Sequence, residues 1–301
     1  MNAVVARARR GHPGLYWFAV AMTALTVVTA VLAVVDQRTL LGAPLWFKPL
    51  KFAISLALYA GALAWMLERL PGRRMHRTGW VLVVTSAIEM VIIVGQAARG
   101  VRSHFNDDDV LGRVLFGVMG VSVVVLYIAT VAVGLRFLRE RTDDPATAWA
   151  ARLGLAVGLL GMSVGFVMVA IDSHAVGVPD GGPGLPLLGW STTGGDLRIG
   201  HFVGLHAVQV LPLLAAGLAR LGRLDERART RTVQVAGAAY AALVLLVTWQ
   251  ALRGQPLLAP DPATLAVLAV LLAGTAAALA TVLRGSARRS VTARSITSVG
   301  V

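Results

Sequence analysis

The run LYWFAVAMTALTVVTAVLAVV, residues 15–35, decides the class of this chain, because it is 21 residues long and holds no charged side chain. At 1.5 Å of rise per residue, such a helix reaches about 30 Å, the thickness of a bilayer's hydrocarbon core. Arg7, Arg9 and Arg10 precede it. The run exceeds the roughly 7–15 apolar residues of a cleavable signal, so it reads as a retained first span. Seven more runs of the same kind follow, which places spans at 15–35, 46–68, 80–99, 111–138, 149–172, 199–220, 233–252 and 263–283. They are continuous rather than alternating, which argues for helices and against a barrel. The predicted fold class is therefore an all-α polytopic transmembrane bundle of eight spans, a single domain over 1–284. The Ser-, Arg- and Thr-rich segment 285–301 is expected to be a disordered tail.

Composition agrees. The chain is 56% hydrophobic and 14% charged, against about 25% charged in soluble domains. A net charge of +13 in a soluble protein would suggest nucleic acid. Here the cations sit in the connections between spans, so topology accounts for them and no nucleic-acid partner is expected. Twenty of the 28 Lys and Arg fall on one side of the eight spans and eight on the other. By the positive-inside rule both termini are cytoplasmic, in a bacterial inner membrane. The absence of Cys excludes disulfides, thiolate metal sites, c-type haem attachment and cysteine nucleophiles. No P-loop, dinucleotide fingerprint or nucleophile elbow is present.

Polar residues concentrate at the non-cytoplasmic ends. The chain has 26 Arg and two Lys, and both lysines lie in LWFKPLKF (45–52). Arg keeps its proton, whereas a desolvated Lys can lose it, so the exceptions suggest a site that needs an ammonium group; the simpler reading is snorkelling beside Trp46. Lys48, Lys51, Ser55 and Tyr59 fall within about 80° of arc on the second span. On the third span, Ser86, Glu89 and Gln96 share a face that ends at Arg99, with Glu89 about 15 Å below that end. An ionisable group at that depth costs about 2.5–3.5 kcal/mol even on the lenient insertion scale and normally faces a partner inside the bundle. Tyr59, Ser55 and Lys51 are the candidate partners. The alternative is a neutral Glu89 bridging helices.

The stretch GGDLRIGHFVGLHAVQVLP (194–212) opens the sixth span. Arg198, His201, His206 and Gln209 fall on one side of it, Asp196 falls elsewhere if the helix reaches that far, and Pro212 interrupts the backbone bonds below. His104 and Asn106 follow the third span, and Asp172 and His174 end the fifth. The 173–198 connection, the longest between spans, reads as a lid or as a plain flexible loop. Gly154, Gly158, Gly161 and Gly165 lie within about 60° of one another on the fifth span, a face for close helix packing.

Three chemistries fit these residues. Transport or proton conduction draws on Glu89, the lysines and Pro212, although no inverted repeat is visible. The i,i+5 spacing of His201 and His206 keeps both from serving one ion on a straight helix, so a divalent metal would use one of them with His174, His104 or Asp172, and haem would use His206 with a second outer-side histidine. A lipid hydrolase or transferase would use the same His and Asp residues. The working expectation is an outward-facing polar cavity that binds and moves a small solute or protons. Its partners would be the lipid bilayer and that solute or proton, with self-association left open.

The stretches WFKPLKFAIS, EMVIIVGQAARGVRSHFN and DLRIGHFVGLHAVQVLP resemble a bacterial multi-pass membrane protein family, a likeness that implies shared membership but no activity. Eight spans with several histidines are also similar in outline to haem A synthases, whose motifs differ and whose two-fold repeat is missing here.

Overall fold

A computed structural model describes residues 6, 9–70, 72–107, 109–140 and 144–298. Among them are eight helices long and apolar enough to cross a membrane: α1 (Pro13–Val35), α2 (Phe47–Leu67), α3 (Arg73–Arg99), α4 (Val110–Arg139), α5 (Pro145–Ala170), α6 (Arg198–Leu221), α7 (Glu226–Leu252) and α8 (Pro262–Ser298). Each agrees with a predicted span, but several start earlier. α3 begins at Arg73 rather than 80, and α7 at Glu226 rather than 233. The apolar run marks the part of a helix that matches lipid; the helix itself starts where a cap satisfies its free amides. Asp225 accepts from the Ala228 amide at 2.6 Å, Asp144 from Thr147 at 3.3 Å and Asp261 from Thr264 at 2.8 Å. Asp109 accepts from the Gly112 amide in the same way. α8 extends to Ser298, beyond the predicted end of the eighth span at 283 and into the segment expected to be a tail. Its polar sequence carries no Pro to stop a helix already propagating. Residues 299–301 lie outside the described ones.

Among the described residues, sheet structure consists of two short ladders in the connections and one isolated antiparallel bridge between Gly184 and Ser191. β1 (Thr39–Leu40) pairs antiparallel with β2 (Ala43–Pro44), and β3 (Ala175–Val176) pairs antiparallel with β4 (Gly195–Asp196). The second ladder closes the long α5–α6 connection on itself.

Successive helices pack against one another, with α2 also touching α6 and α5 also touching α7. The closest pair is α5 with α6. A Cβ on Gly161 would lie 2.7 Å from the Gly204 Cα, and one on Gly154 would lie 2.9 Å from the Ala207 carbonyl oxygen. The expected glycine face is thus a packing face, and its partner is the helix that carries Arg198, His201 and His206. Leu63, Met66, Leu82, Val133, Phe137 and Leu155 form the main apolar core. Val270 and Leu272 of α8 and Val121 of α4 are exposed, as side chains that meet lipid tails rather than a protein interior would be.

At the arginine-rich end, His12 is fully buried. Its Nδ1 accepts from the Leu15 amide at 3.1 Å, and its Nε2 donates to the His76 carbonyl at 3.0 Å. It caps α1 and ties that helix to α3. Arg289 on α8 pairs with Asp225 at 2.8 Å. The opposite end holds the N-termini of α2 and α6, the C-termini of α3 and α5, and the 173–197 connection.

Candidate functional site

Lys48 and Lys51 stand one turn apart on the first turns of α2. Lys48 donates to His104 Nδ1 at 3.0 Å, which puts the His104 proton on Nε2. The Ser103 hydroxyl lies 3.2 Å from the same Nδ1, and the ring sits among Phe52, Phe105 and Phe116. Burial, followed by the charge of Lys48 and the neighbouring His201, holds His104 well below its ordinary imidazole range. It is therefore a neutral acceptor for an ammonium ion. Lys48 is also within Coulombic range of Arg198, Glu89 and Lys51. Glu89, on α3, is 5% exposed, and its Oε1 has no hydrogen-bond partner among the described residues. The expected partners do not take it. Tyr59 instead bonds Thr130 of α4 at 2.6 Å, Lys51 turns to a backbone carbonyl, and Ser55 is half-buried a turn further along α2. The charge facing Glu89 is that of Lys48.

The second part of the cluster is built around Asp196. From helical phase it should point away from Arg198. In fact α6 begins only at Arg198 and Asp196 lies in β4, so that phase does not apply. Asp196 is fully buried. It accepts from Arg198 Nε at 2.9 Å and from Arg198 Nη2 at 2.6 Å, and from the Ser191 amide at 2.9 Å. This bidentate, charge-assisted pairing fixes the guanidinium. Arg198 Nη2 also donates to the Gly189 carbonyl at 2.5 Å, while Lys51 donates to the Leu188 carbonyl at 2.9 Å. Lys51 lies within Coulombic range of both Arg198 and Asp196.

His174 lies beside this pair. Its Nδ1 is 3.3 Å from Asp180 and 4.0 Å from Asp196, within ion-pair reach but not aligned for a hydrogen bond. Burial and the Arg198 cation lower its affinity for a proton, against the pull of the two carboxylates. Burial pushes the Asp180 carboxyl up, but bonds from the Ala175 amide and the Ser173 hydroxyl outweigh it, and the group is held low.

Further along α6, His201 donates from Nδ1 to the Gly161 carbonyl at 2.8 Å, which leaves its Nε2 lone pair free. A Cβ on Gly165 would lie 3.1 Å from this ring, so the last glycine of the α5 face makes room for an imidazole. His206 meets Phe202 edge-on at 4.3 Å between ring centres. Gln209, oriented so that both ends of its amide are satisfied, donates to the His206 carbonyl at 3.0 Å and accepts from the Tyr59 amide at 3.2 Å. It joins α6 to α2 below the cluster.

The structure thus gathers Lys48, Lys51, Glu89, His104, His174, Arg198 and His201 at one end of the bundle, with His206 and Gln209 beneath. The other expected residues have different places. Gln96 donates to the Arg102 carbonyl at 3.3 Å and accepts from Arg99 at 2.6 Å, and Arg99 pairs with Asp109 at 3.0 Å. Asn106 donates to the Arg102 carbonyl at 2.8 Å. These three shape the α3–α4 connection. Asp172 is exposed, with φ at +51°, and the acid beside His174 is Asp180. Asp180, Ser103 and the carbonyls of Leu188 and Gly189 were not anticipated, and Asp196 was expected only away from the polar face. Asp180 had a signal, since a carboxylate six residues after His174 in a closed loop can turn back on it. The carbonyls had none. Among the described residues, no three His, Asp or Glu side chains are grouped to hold a metal ion.

Compared with protein-family models, curated proteins and solved structures, the chain finds no match.

Proposed function

We propose that this integral membrane protein binds a small solute at the lysine- and histidine-rich end of its bundle, and that it moves the solute, or protons, across the bilayer. In this reading it sits in a bacterial cytoplasmic membrane with both termini inside, as the distribution of arginine supports, and the cluster faces outward. The carrying observation is Glu89. It is a buried carboxyl group with one oxygen unpartnered among the described residues, facing the charge of Lys48. A purely structural carboxyl would satisfy both oxygens, because an unpaired buried acceptor costs about 1–3 kcal/mol. Without a hydrogen bond to lock it, Glu89 is free to take up and release a proton as a cation or ligand arrives beside Lys48. His104, held neutral, accepts from Lys48 and steadies the ammonium meanwhile.

The test is proton flux in vesicles loaded with a pH-sensitive dye, driven by a potassium diffusion potential. Vesicles holding the protein should acidify at least tenfold faster than empty ones, and Glu89→Gln, which keeps the shape but removes the proton site, should abolish the difference. Equal rates with and without the protein, or full activity in Glu89→Gln, would overturn this assignment.

A further inference from the structure

The α5–α6 connection shows what kind of group the cluster's cations accept. It turns tightly at its tip: the Leu185 amide donates to the Trp190 carbonyl at 2.8 Å, and the Gly189 amide to the Leu185 carbonyl at 2.8 Å. Leu187 at the apex has φ at +64° and is 67% exposed. Behind the apex, two successive carbonyls meet two cations, Leu188 on Lys51 at 2.9 Å and Gly189 on Arg198 at 2.5 Å. The flanks are anchored independently. Ser191 is held by Asp196, Thr192 by Pro183, and β3 pairs with β4. The turn can therefore leave its cations without unravelling the connection.

Neither lysine forms an ion pair among the described residues; their partners are an imidazole nitrogen and a peptide oxygen. Arg198 gives its Nε hydrogen and one Nη2 hydrogen to Asp196 and turns Nη2 to a peptide oxygen as well. A cation is drawn more strongly to an ionised oxygen than to a neutral carbonyl, because the full negative charge adds Coulombic attraction. The cluster is thus filled by weaker acceptors than its charges favour, and Lys48, Lys51 and Arg198 repel one another there.

Resting on the ligand-binding reading above, we propose that the ligand is an oxyanion, a carboxylate or phosphate group, and that it displaces the Leu188 and Gly189 carbonyls from Lys51 and Arg198. Residues 185–190 are then a lid held shut by the protein's own backbone oxygens and opened by the anion that replaces them.

The chain has no cysteine, so Leu187→Cys carries a single environment-sensitive fluorophore at the exposed apex. Inorganic phosphate and succinate are each titrated into the full-length labelled protein in detergent. A second arm compares nanodiscs of phosphatidylglycerol with nanodiscs of phosphatidylcholine. A saturable fluorescence change with either soluble anion supports the proposal with a solute as ligand; a change only in phosphatidylglycerol supports it with a lipid headgroup. Lys51→Gln should raise the half-saturating concentration at least tenfold, and Lys51→Arg should restore most of the response. Arg198→Gln also strips buried Asp196 and endangers the fold, so Lys51→Gln, checked by gel filtration and melting, carries the test. No change in any arm, or an unaltered response in a folded Lys51→Gln protein, would refute the lid. Because the probe reads the loop in the absence of flux, a lid response without proton movement defeats only the transport reading, and flux without a lid response defeats only the lid.

Discussion

His12 is a buried ring whose bond from the Leu15 amide requires it to be neutral. Its Nδ1 must accept from the Leu15 amide while its Nε2 donates to the His76 carbonyl. Burial, the largest influence, and the nearby His76 ring lower its proton affinity below the ordinary value near 6.5, against the bond to the His76 carbonyl. The folded state therefore binds fewer protons than the unfolded chain as pH falls below about 6.5. The stabilisation is complete above that pH and is lost on acidification through the lowered value. His104 and His174 shift in the same direction, so they add to the slope. We expect the melting temperature in detergent to fall between pH 6.5 and 5, and His12→Asn, which keeps a capping side chain without a titrating ring, to flatten part of that fall. An unchanged slope in the variant would remove His12 from the account. At this scale the sequence was informative where a residue broke a pattern. Lys48 and Lys51 stood out in an arginine-rich chain, and Glu89 stood out in a span. It was uninformative where the partner was backbone, as for the carbonyls that hold Lys51 and Arg198. Helical phase says nothing of Asp196, which lies two residues before the helix starts.

Among the elements, the α5–α6 pair carries the most demanding contact. Gly161 and Gly204 touch through their backbones, and an added Cβ at either would lie under 3.0 Å from the other helix. Gly161→Ala should destabilise by about 1–3 kcal/mol, the usual cost of overpacking a close contact, and it should also disturb His201, whose ring bonds the Gly161 carbonyl. Gly217 of α6 has nothing within 4 Å of a built Cβ, so Gly217→Ala should be neutral or stabilise by up to about 1 kcal/mol through helix propensity. Thermal melts of the two variants provide the comparison; equal melting temperatures would mean that the helices are not in contact there. The glycine face was visible from its spacing, but its partner was not, since periodicity identifies a face without saying what meets it. Helix starts at the arginine-rich end were missed for a related reason, because polar first turns held by Asp225 or Asp144 leave no trace in hydropathy. The two short ladders carry too few residues for an alternation to register.

For the whole molecule, the eight spans were legible because bilayer thickness imposes a length on every one of them. How the spans pack was not, since lipid-facing and buried apolar side chains have the same composition: Val270 of α8 is exposed and Val244 of α7 is buried. Orientation rests on charge alone, and the structure supplies positions at which to test it. Ala259 in the α7–α8 connection and Arg74 at the start of α3 are both exposed, and they belong to opposite ends of the bundle. Each can be replaced by cysteine in a background that has no other thiol. If the arginine-rich end is cytoplasmic, a membrane-impermeant maleimide added to intact cells should label Ala259→Cys, while Arg74→Cys should react only after the membrane is opened. The reverse pattern would place Lys48, Lys51 and Glu89 on the cytoplasmic side, so that any ligand would reach them from within the cell. Equal labelling of both positions in sealed cells would mean a mixed orientation, which the excess of 20 basic residues over eight makes unfavourable, because cationic loops resist translocation.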